Sequence, residues 1–382
     1  MEVMMGSMHW AVITFLLIGL GLFSGGGQTA EGADADFSFV VFGDSQFATN
    51  SSTSGIPERL AVPEVVLALE PTFALHTGDL MDHGRDPEAY DRFVTYYAGM
   101  LARIPFFPTM GNHDAGYAGI ANYRTYLKKQ LWEINAEAFG TTYQERFSLF
   151  HEDDKTDYPQ RFDDPRCRAF RDRVPSGASF KTFYAFRFAN AYFISCEQGT
   201  RWWANTPTPW LERHLKKAHE DPGIDHIVVF LHHPLYSTTM RENPPDPAKP
   251  GSGECIAPVR RQFEPLFRQY DVTLAFSGHA HLYDHCYVPD DDHETRADPP
   301  PKRYPHDGRA VHYIVAGGGG GPLNRGGWAK ERSYRFFQKR ICAYNVVQVE
   351  VVGKALTVTV HTVKGSAEKH TSAVFDRFVL EP

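Results

Sequence analysis

Five short apolar stretches of this chain end abruptly in small polar clusters. The clusters are Gly43-Asp44-Ser45-Gln46, Gly78-Asp79-Leu80-Met81-Asp82, Gly111-Asn112-His113-Asp114, His232-His233-Pro234 and Gly278-His279-Ala280-His281. The stretches before them include 37–43 (FSFVVFG) and 226–231 (HIVVFL). Their length and their branched and aromatic residues suit buried strands. Helical patterns lie between, at 57–70, 86–103, 120–132, 208–219 and 259–270. Asp86-Pro87 supplies an N-cap and a first-turn proline for the second of these. Strand, helix, strand in that order predicts parallel pairing with helices covering the sheet. In open α/β sheets, ligands bind beyond the carboxyl ends of the strands, so distant parts of a chain can meet there.

The rest of the chain predicts antiparallel additions. Residues 183–195 read as a hairpin turning near Asn190, and 344–352 with 355–363 as a closing hairpin. Residues 312–316 read as a strand that runs into five glycines, Gly317 to Gly321. That run is either a plain flexible loop or a place where backbone must approach a ligand closely. Segments 141–180, 237–256 and 285–310 are polar or proline-rich and read as insertions. With no internal repeat and no long linker, residues 36–382 are expected to form one domain.

The polar clusters share a chemistry. Two carboxylates, one carboxamide and several imidazoles are hard-to-borderline ligands, suited to Mn, Fe or Zn. They are too many for one ion, so two ions sharing a carboxylate are the natural reading. Two metals about 3.5–4 Å apart can clamp a phosphoryl group. Charge points the same way. The 382 residues carry 39 Lys+Arg against 46 Asp+Glu, a formal net charge of −7. No basic excess exists for non-specific nucleic-acid binding, and an acidic protein that handles anions needs concentrated local positive charge. The expected partner is a phosphorylated small molecule or phosphoprotein.

Residues 11–23 (AVITFLLIGLGLF) form an unbroken apolar run, and Ala33-Asp34-Ala35 follows as a cleavage pattern. The run is short for a membrane span and suits a signal peptide. Residues 1–35 are therefore read as a signal peptide or amino-terminal anchor, although no Lys or Arg precedes the run. Export to an extracytoplasmic compartment is expected, with membrane attachment only if the segment stays uncleaved. Five cysteines form no C-x-x-C pair. Cys255 and Cys286 are the first candidates for a disulfide, while Cys196 and Cys342 sit among strand residues.

Taken in order, the motifs GD-x-Q, GD-x-x-D, GNHD, HHP and GHAH resemble those of the calcineurin-like metallophosphoesterases across residues 38–282. The resemblance implies a four-layer α/β/β/α sandwich of two mixed β-sheets flanked by helices. It implies a hydrolase that attacks phosphate esters with a hydroxide held at a dinuclear metal centre. Asp44 and His281 would bind the first ion, Asp79 would bridge both, and Asn112, His232 and His279 would complete the second. His113 would sit over the substrate, with Asp114 orienting it through a hydrogen bond. Gln46 stands where the family commonly has a ligating His; it is either a weaker carbonyl donor or a bystander. Asp82 stands where purple acid phosphatases carry a tyrosine, so no tyrosinate-to-iron colour is expected. A phosphodiesterase or nucleotide hydrolase on the same site, or a degenerate member that binds without catalysis, are the alternatives. His233, His76, His83 and His285 are read as structural or rim residues.

Overall fold

The computed structural model describes residues 36–48, 56–115, 119–140, 143–150, 182–196, 208–239, 257–324 and 335–382. The amino-terminal apolar run and most of the 141–180 and 237–256 insertions lie outside them. Among the described residues, no helix is long and apolar enough to cross a membrane.

Two mixed sheets make up the architecture, with helices flanking them. The first runs β10 (Arg303–Pro305), β15 (His370–Glu381), β14 (Ala355–Gly365), β13 (Asn345–Val352), β1 (Asp36–Phe42), β2 (Phe73–His76) and β3 (Phe106–Pro108). The second runs β12 (Phe337–Ile341), β9 (Tyr283–Pro289), β11 (Ala310–Ala316), β8 (Leu274–Ser277), β7 (His226–Phe230), β6 (Ala191–Ser195), β5 (Tyr184–Phe188) and β4 (Ser148–Phe150). Strands β1, β2 and β3 are parallel, as are β6, β7, β8 and β11. Helices Glu58–Ala68, Pro87–Tyr96, Thr208–His219 and Ala257–Gln269 lie in the crossovers from β1 to β2, β2 to β3, β6 to β7 and β7 to β8, while β8 reaches β11 through β9 and β10. The Asp86 side chain accepts the Glu88 N–H at 3.1 Å with Pro87 following it, as its sequence signature predicts.

The sheets face one another through phenylalanine. Phe39 and Phe73 of the first sheet each meet Phe193 of the second edge-on, with ring centroids 5.2 Å apart. Phe37 meets Phe188 at 5.0 Å. Alternation along β6 and β7 sends Phe193, Val228 and Phe230 into this layer. Their neighbours Tyr192, Ile194, Ile227 and Val229 point the other way, onto Trp210, Leu211, Phe263 and Phe267 of two helices. Both faces of these strands are buried, which is why they read as continuous apolar runs.

Three expectations need correction. The segment 285–310 is not a long loop, because β9 threads between β12 and β11 and β10 joins the first sheet. Strand β9 escapes a hydropathy pattern because Asp284 and His285 are polar yet almost fully buried. The closing unit is a three-stranded meander, with β15 continuing the hairpin of β13 and β14. A register shift between Val360 and His361 breaks its simple alternation. Finally, 141–180 is not wholly irregular, since β4 adds the edge strand beside β5.

The interior of β9 and β11 holds a pair of neutral imidazoles. His285 Nε2 lies 3.0 Å from His312 Nδ1, and the His285 ring stacks on Phe378 at 4.3 Å. Burial pushes His285 down to about 3, against the attraction of Asp376. Burial and His285 likewise hold His312 well below its ordinary value. The unfolded chain takes up these protons at about pH 6.5, whereas the folded chain does so only far lower. Stability from this pair is therefore present above about pH 6.5 and lost as the pH falls below it, by about 1.4 kcal/mol per pH unit per histidine. The melting temperature should drop progressively from about pH 6.5 to pH 4. A flat profile over that interval contradicts this reading of the pair.

Candidate metal centre

Each polar cluster follows the carboxyl end of a parallel strand: β1, β2 and β3 in one sheet, β7 and β8 in the other. Backbone hydrogen bonds lace the turns together. Asp44 N–H donates to Gly78 O and Gln46 N–H to Asp79 O, both at 2.9 Å, and Gly278 N–H donates to His232 O at 2.9 Å. The turns are tight enough that four of the singled-out residues take left-handed backbone. Asp44, Gln46, Asp79 and His279 have φ of 60°, 46°, 53° and 66°. Non-glycine residues in that region store local strain, and such strain gathers at functional sites. A glycine precedes Asp44, Asp79 and His279 in sequence, but nothing in the sequence says that the ligand-type residue itself takes the unusual backbone. Glycine answers a different need at 111 and 278. A Cβ at Gly111 would sit 2.1 Å from Asp79 Oδ1, and one at Gly278 would sit 2.4 Å from Asp44 Oδ2.

The seven residues read as ligands converge. Donor atoms of Asp44, Asp79 and His232 all lie within 4.8 Å of one another. His232 Nε2 is 3.4 Å from Asp79 Oδ2 and 2.8 Å from Asn112 Oδ1. His279 Nδ1 is 2.9 Å from Asn112 Oδ1 and 3.2 Å from His232 Nε2. A second group forms alongside, where His281 Nε2 is 3.3 Å from Asp44 Oδ1 and 3.4 Å from Gln46 Nε2.

These residues could hold a pair of cations, and the hydrogen bonds behind two imidazoles set which nitrogen faces inward. His232 Nδ1 lies 2.9 Å from the Thr77 carbonyl, and His281 Nδ1 lies 2.6 Å from the Pro322 carbonyl. Each Nδ1 must carry a proton to donate there, so in the neutral ring Nε2 presents a lone pair. Those lone pairs face the oxygens of Asp79 and Asp44. Electron-rich atoms meet so closely only if positive charge lies between them. Without a cation, a proton takes that place. Burial opposes a charge on His232, but Asp79 outweighs it and pushes the imidazole up to about 10. Burial likewise opposes ionisation of Asp79, but His232 holds its carboxyl well below the usual range. For His281, too, burial is overcome by Asp44, and its value rises.

A model of the calcineurin-like phosphoesterases matches residues 37–283. The chain belongs to that family. It is 30% identical over 267 residues to a phosphoenolpyruvate phosphatase of Allium cepa, covering 66% of this chain and 43% of that protein. It is 23% identical over 263 residues to purple acid phosphatase 1 of Ipomoea batatas, covering 66% and 44%. The chain thus spans less than half the length of these curated relatives. Among solved structures, the fold resembles a purple acid phosphatase from yellow lupin (Lupinus luteus) seeds, with a TM-score of 0.60 at 15% identity over 91% of this chain and 54% of that one. It also resembles GAP50 of Plasmodium, with a TM-score of 0.51 at 15% identity over 90% of both chains.

Within this phosphoesterase fold, His113 stands at the mouth of the site, with its side chain 37% exposed beside the buried Asp79. Its backbone N–H donates to Asp79 Oδ1 at 2.8 Å, and its Nε2 lies 3.9 Å from Asp79 Oδ2. The expected hydrogen bond from Asp114 to His113 is not the one formed. His113 Nδ1 instead meets the Asp82 carbonyl at 2.7 Å and Asp82 Oδ1 at 3.4 Å. Asp114 points away and accepts backbone N–H groups of Gly111 at 2.9 Å, Met81 at 3.0 Å and Leu80 at 3.3 Å. It ties the second and third turns together, while Asp82 holds His113. Burial lowers His113, but Asp79 and the Asp82 carbonyl outweigh it and the net shift is upward.

The remaining histidines separate. His76 Nδ1 accepts the Gly78 N–H at 3.2 Å, so its Nε2 donates to Ser45 Oγ at 2.9 Å and the ring braces two turns. Buried His233 packs on His279 with centroids 4.4 Å apart, and its donor atom lies within 4.8 Å of those of His232 and His279. The glycine run answers its open question through backbone approach. Gly319 N–H donates to Gly43 O at 2.7 Å and Gly321 N–H to Asp44 O at 2.6 Å. A Cβ at Gly317 would lie 2.9 Å from Asp44 Oδ2. Burial pushes the Cys196 thiol far up, so it stays an inert core residue. Cys255, the expected partner of Cys286, lies outside the described residues.

Proposed function

We propose that this chain is a metal-dependent phosphatase that hydrolyses phosphate monoesters at a dinuclear centre, in a compartment outside the cytoplasm. One observation carries the reading: two imidazole Nε2 atoms, with the Nδ1 of each held by a backbone carbonyl, face carboxylate oxygens within 3.4 Å. Asp44, His281 and Gln46 would hold the first ion, Asn112, His232 and His279 the second, and Asp79 would bridge them. Bound there, two Mn, Fe or Zn ions would supply Lewis acidity to the phosphoryl oxygens and to an attacking water. The chain's own groups do the rest. Asp79 fixes the His113 backbone through its N–H, and Asp82 accepts from Nδ1, which leaves Nε2 to meet the ester. From the mouth, His113 Nε2 would hydrogen-bond a phosphoryl oxygen and protonate the departing alkoxide. No serine or cysteine nucleophile is required. The amide of Gln46 would be a harder and weaker donor than imidazole, favouring Mn or Fe(II) at the first site.

The phosphatase names of the curated relatives support monoesters over diesters. The converging donor set, in which Gln46 alone departs from the common family pattern, argues against a degenerate binding member. The apolar run at 11–23 supports export. Purified protein saturated with Mn, Fe or Zn should hold close to two ions per chain. It should release phosphate from p-nitrophenyl phosphate and phosphoenolpyruvate faster than it cleaves bis(p-nitrophenyl) phosphate. The iron-loaded form should lack the purple of a tyrosinate complex. A single ion at saturation, or diester cleavage outpacing monoester cleavage, would overturn the respective part of this reading.

A further inference from the structure

Arg59 opens the helix after β1 and is only 3% exposed. A buried guanidinium ordinarily has a carboxylate partner. Among the described residues Arg59 has none within ion-pairing distance, and its hydrogen bonds go to backbone carbonyls alone. Nε donates to Ser45 O at 2.6 Å and Nη2 to Gly320 O at 3.2 Å, while the guanidinium lies over the Phe47 ring. Tyr97 Oη donates to the Arg59 carbonyl at 3.1 Å and fixes the start of the helix.

Both carbonyls belong to segments in direct contact with the Asp44, Gln46 and His281 group. Ser45 sits between Asp44 and Gln46. Gly320 lies in the strap formed by residues 317–324, several of whose contacts go to the same group. Gly321 N–H holds Asp44 O, Pro322 O accepts His281 Nδ1–H at 2.6 Å, and Asn324 Oδ1 accepts the His281 N–H at 2.5 Å. A Cβ at Gly321 would lie 2.8 Å from both Gln46 Oε1 and His281 Cε1. Asn112 and His232 receive no hydrogen bond from the strap among the described residues; His232 rests on Thr77 instead. Arg59 therefore joins two segments that contact the Asp44, Gln46 and His281 group directly, whereas its link to the other group is indirect, through the Asp79 turn that the Asp44 turn bonds and the His279 N–H that Asp44 accepts at 3.0 Å.

We propose that Arg59 is a positioning residue that sets cation affinity at the first site by clamping the strap onto the Asp44 turn. The proposal rests on the two-site reading above. Its physical basis is the planar fork of arginine, which can reach two carbonyls in fixed directions where an ammonium cannot. Partners that orient ligands in this way typically govern affinity by about 10–100-fold.

The test is Zn titration of the full-length protein against a competing chelator. Wild type should show two uptake steps, and His281→Ala identifies the step belonging to the first site. Arg59→Met should weaken that step by about 10–100-fold and leave the other within about threefold. Arg59→Lys, which can keep one carbonyl contact, should fall between. Gly320→Ala provides an independent route, because its Cβ would lie 2.8 Å from Arg59 Cβ and force the strap off the clamp. It should give the same selective loss even if Arg59→Met fails to fold. Equal weakening of both steps, or no weakening of either, overturns the role of Arg59 and leaves two wild-type steps standing. A single wild-type step overturns the two-site reading itself, and the Arg59 proposal with it.

Discussion

Asp79→Asn is expected to lower kcat by at least about 10³-fold, more than loss of a single transition-state donor usually costs. Asp79 is the carboxylate proposed to bridge the two groups. Its Oδ2 faces His232 Nε2 at 3.4 Å, and its Oδ1 accepts the His113 N–H at 2.8 Å. The amide replaces two anionic acceptor atoms with one neutral oxygen and one donor, so it can no longer bridge two cations. The folded protein should survive, because the substitution removes a charge that is 1% exposed and strained only through a backbone that Asn tolerates. In the metal-free protein, His232 then loses the largest of the influences that raise it, while Asp44 and the Thr77 carbonyl remain. Circular dichroism and melting of the metal-free form should match wild type, with metal uptake reduced below two ions. Turnover near the wild-type rate at saturating metal would defeat the bridging role.

His113→Asn is expected to behave differently, with kcat lowered by about 10²–10⁴-fold while two ions are retained. The side chain stands outside the two donor groups and touches Asp79 only at 3.9 Å. Its proposed work is to give a proton to the leaving oxygen, so the penalty must depend on that oxygen. Alkyl phosphates, whose alkoxides need a proton, should suffer the full loss. p-Nitrophenyl phosphate, whose phenolate leaves unaided, should suffer much less. An equal loss for both substrates would assign His113 to charge stabilisation of the phosphoryl group alone. Loss of a bound ion would place it among the ligands. Asp82→Asn should act through the same residue without changing metal content, and only in part, because the Asp82 backbone carbonyl keeps its 2.7 Å contact with Nδ1.

The strands that carry the site were legible because each is buried on both faces and stops at glycine or a polar turn. Strand β9 was not legible, because Asp284 and His285 are held by Thr238 and His312, which come from elsewhere in the chain. The same limit applies to Asp114. Sequence adjacency to His113 suggests a hydrogen bond, but the turn after β3 aims the two side chains apart, and Asp82 reaches His113 from the neighbouring turn.

Local sequence alone determined which strand ends carry oxygen and nitrogen donors, and hence the family and its chemistry class. Apolar run length and the residue that ends it are properties of contiguous chain, and they do not wait on packing. Which imidazole nitrogen faces inward, which residues take left-handed backbone, and how Arg59 reaches both Ser45 and Gly320 were decided only when the strands took their register and the sheets stacked. A lone pair is aimed by the carbonyl behind the ring, and that carbonyl comes from another part of the chain.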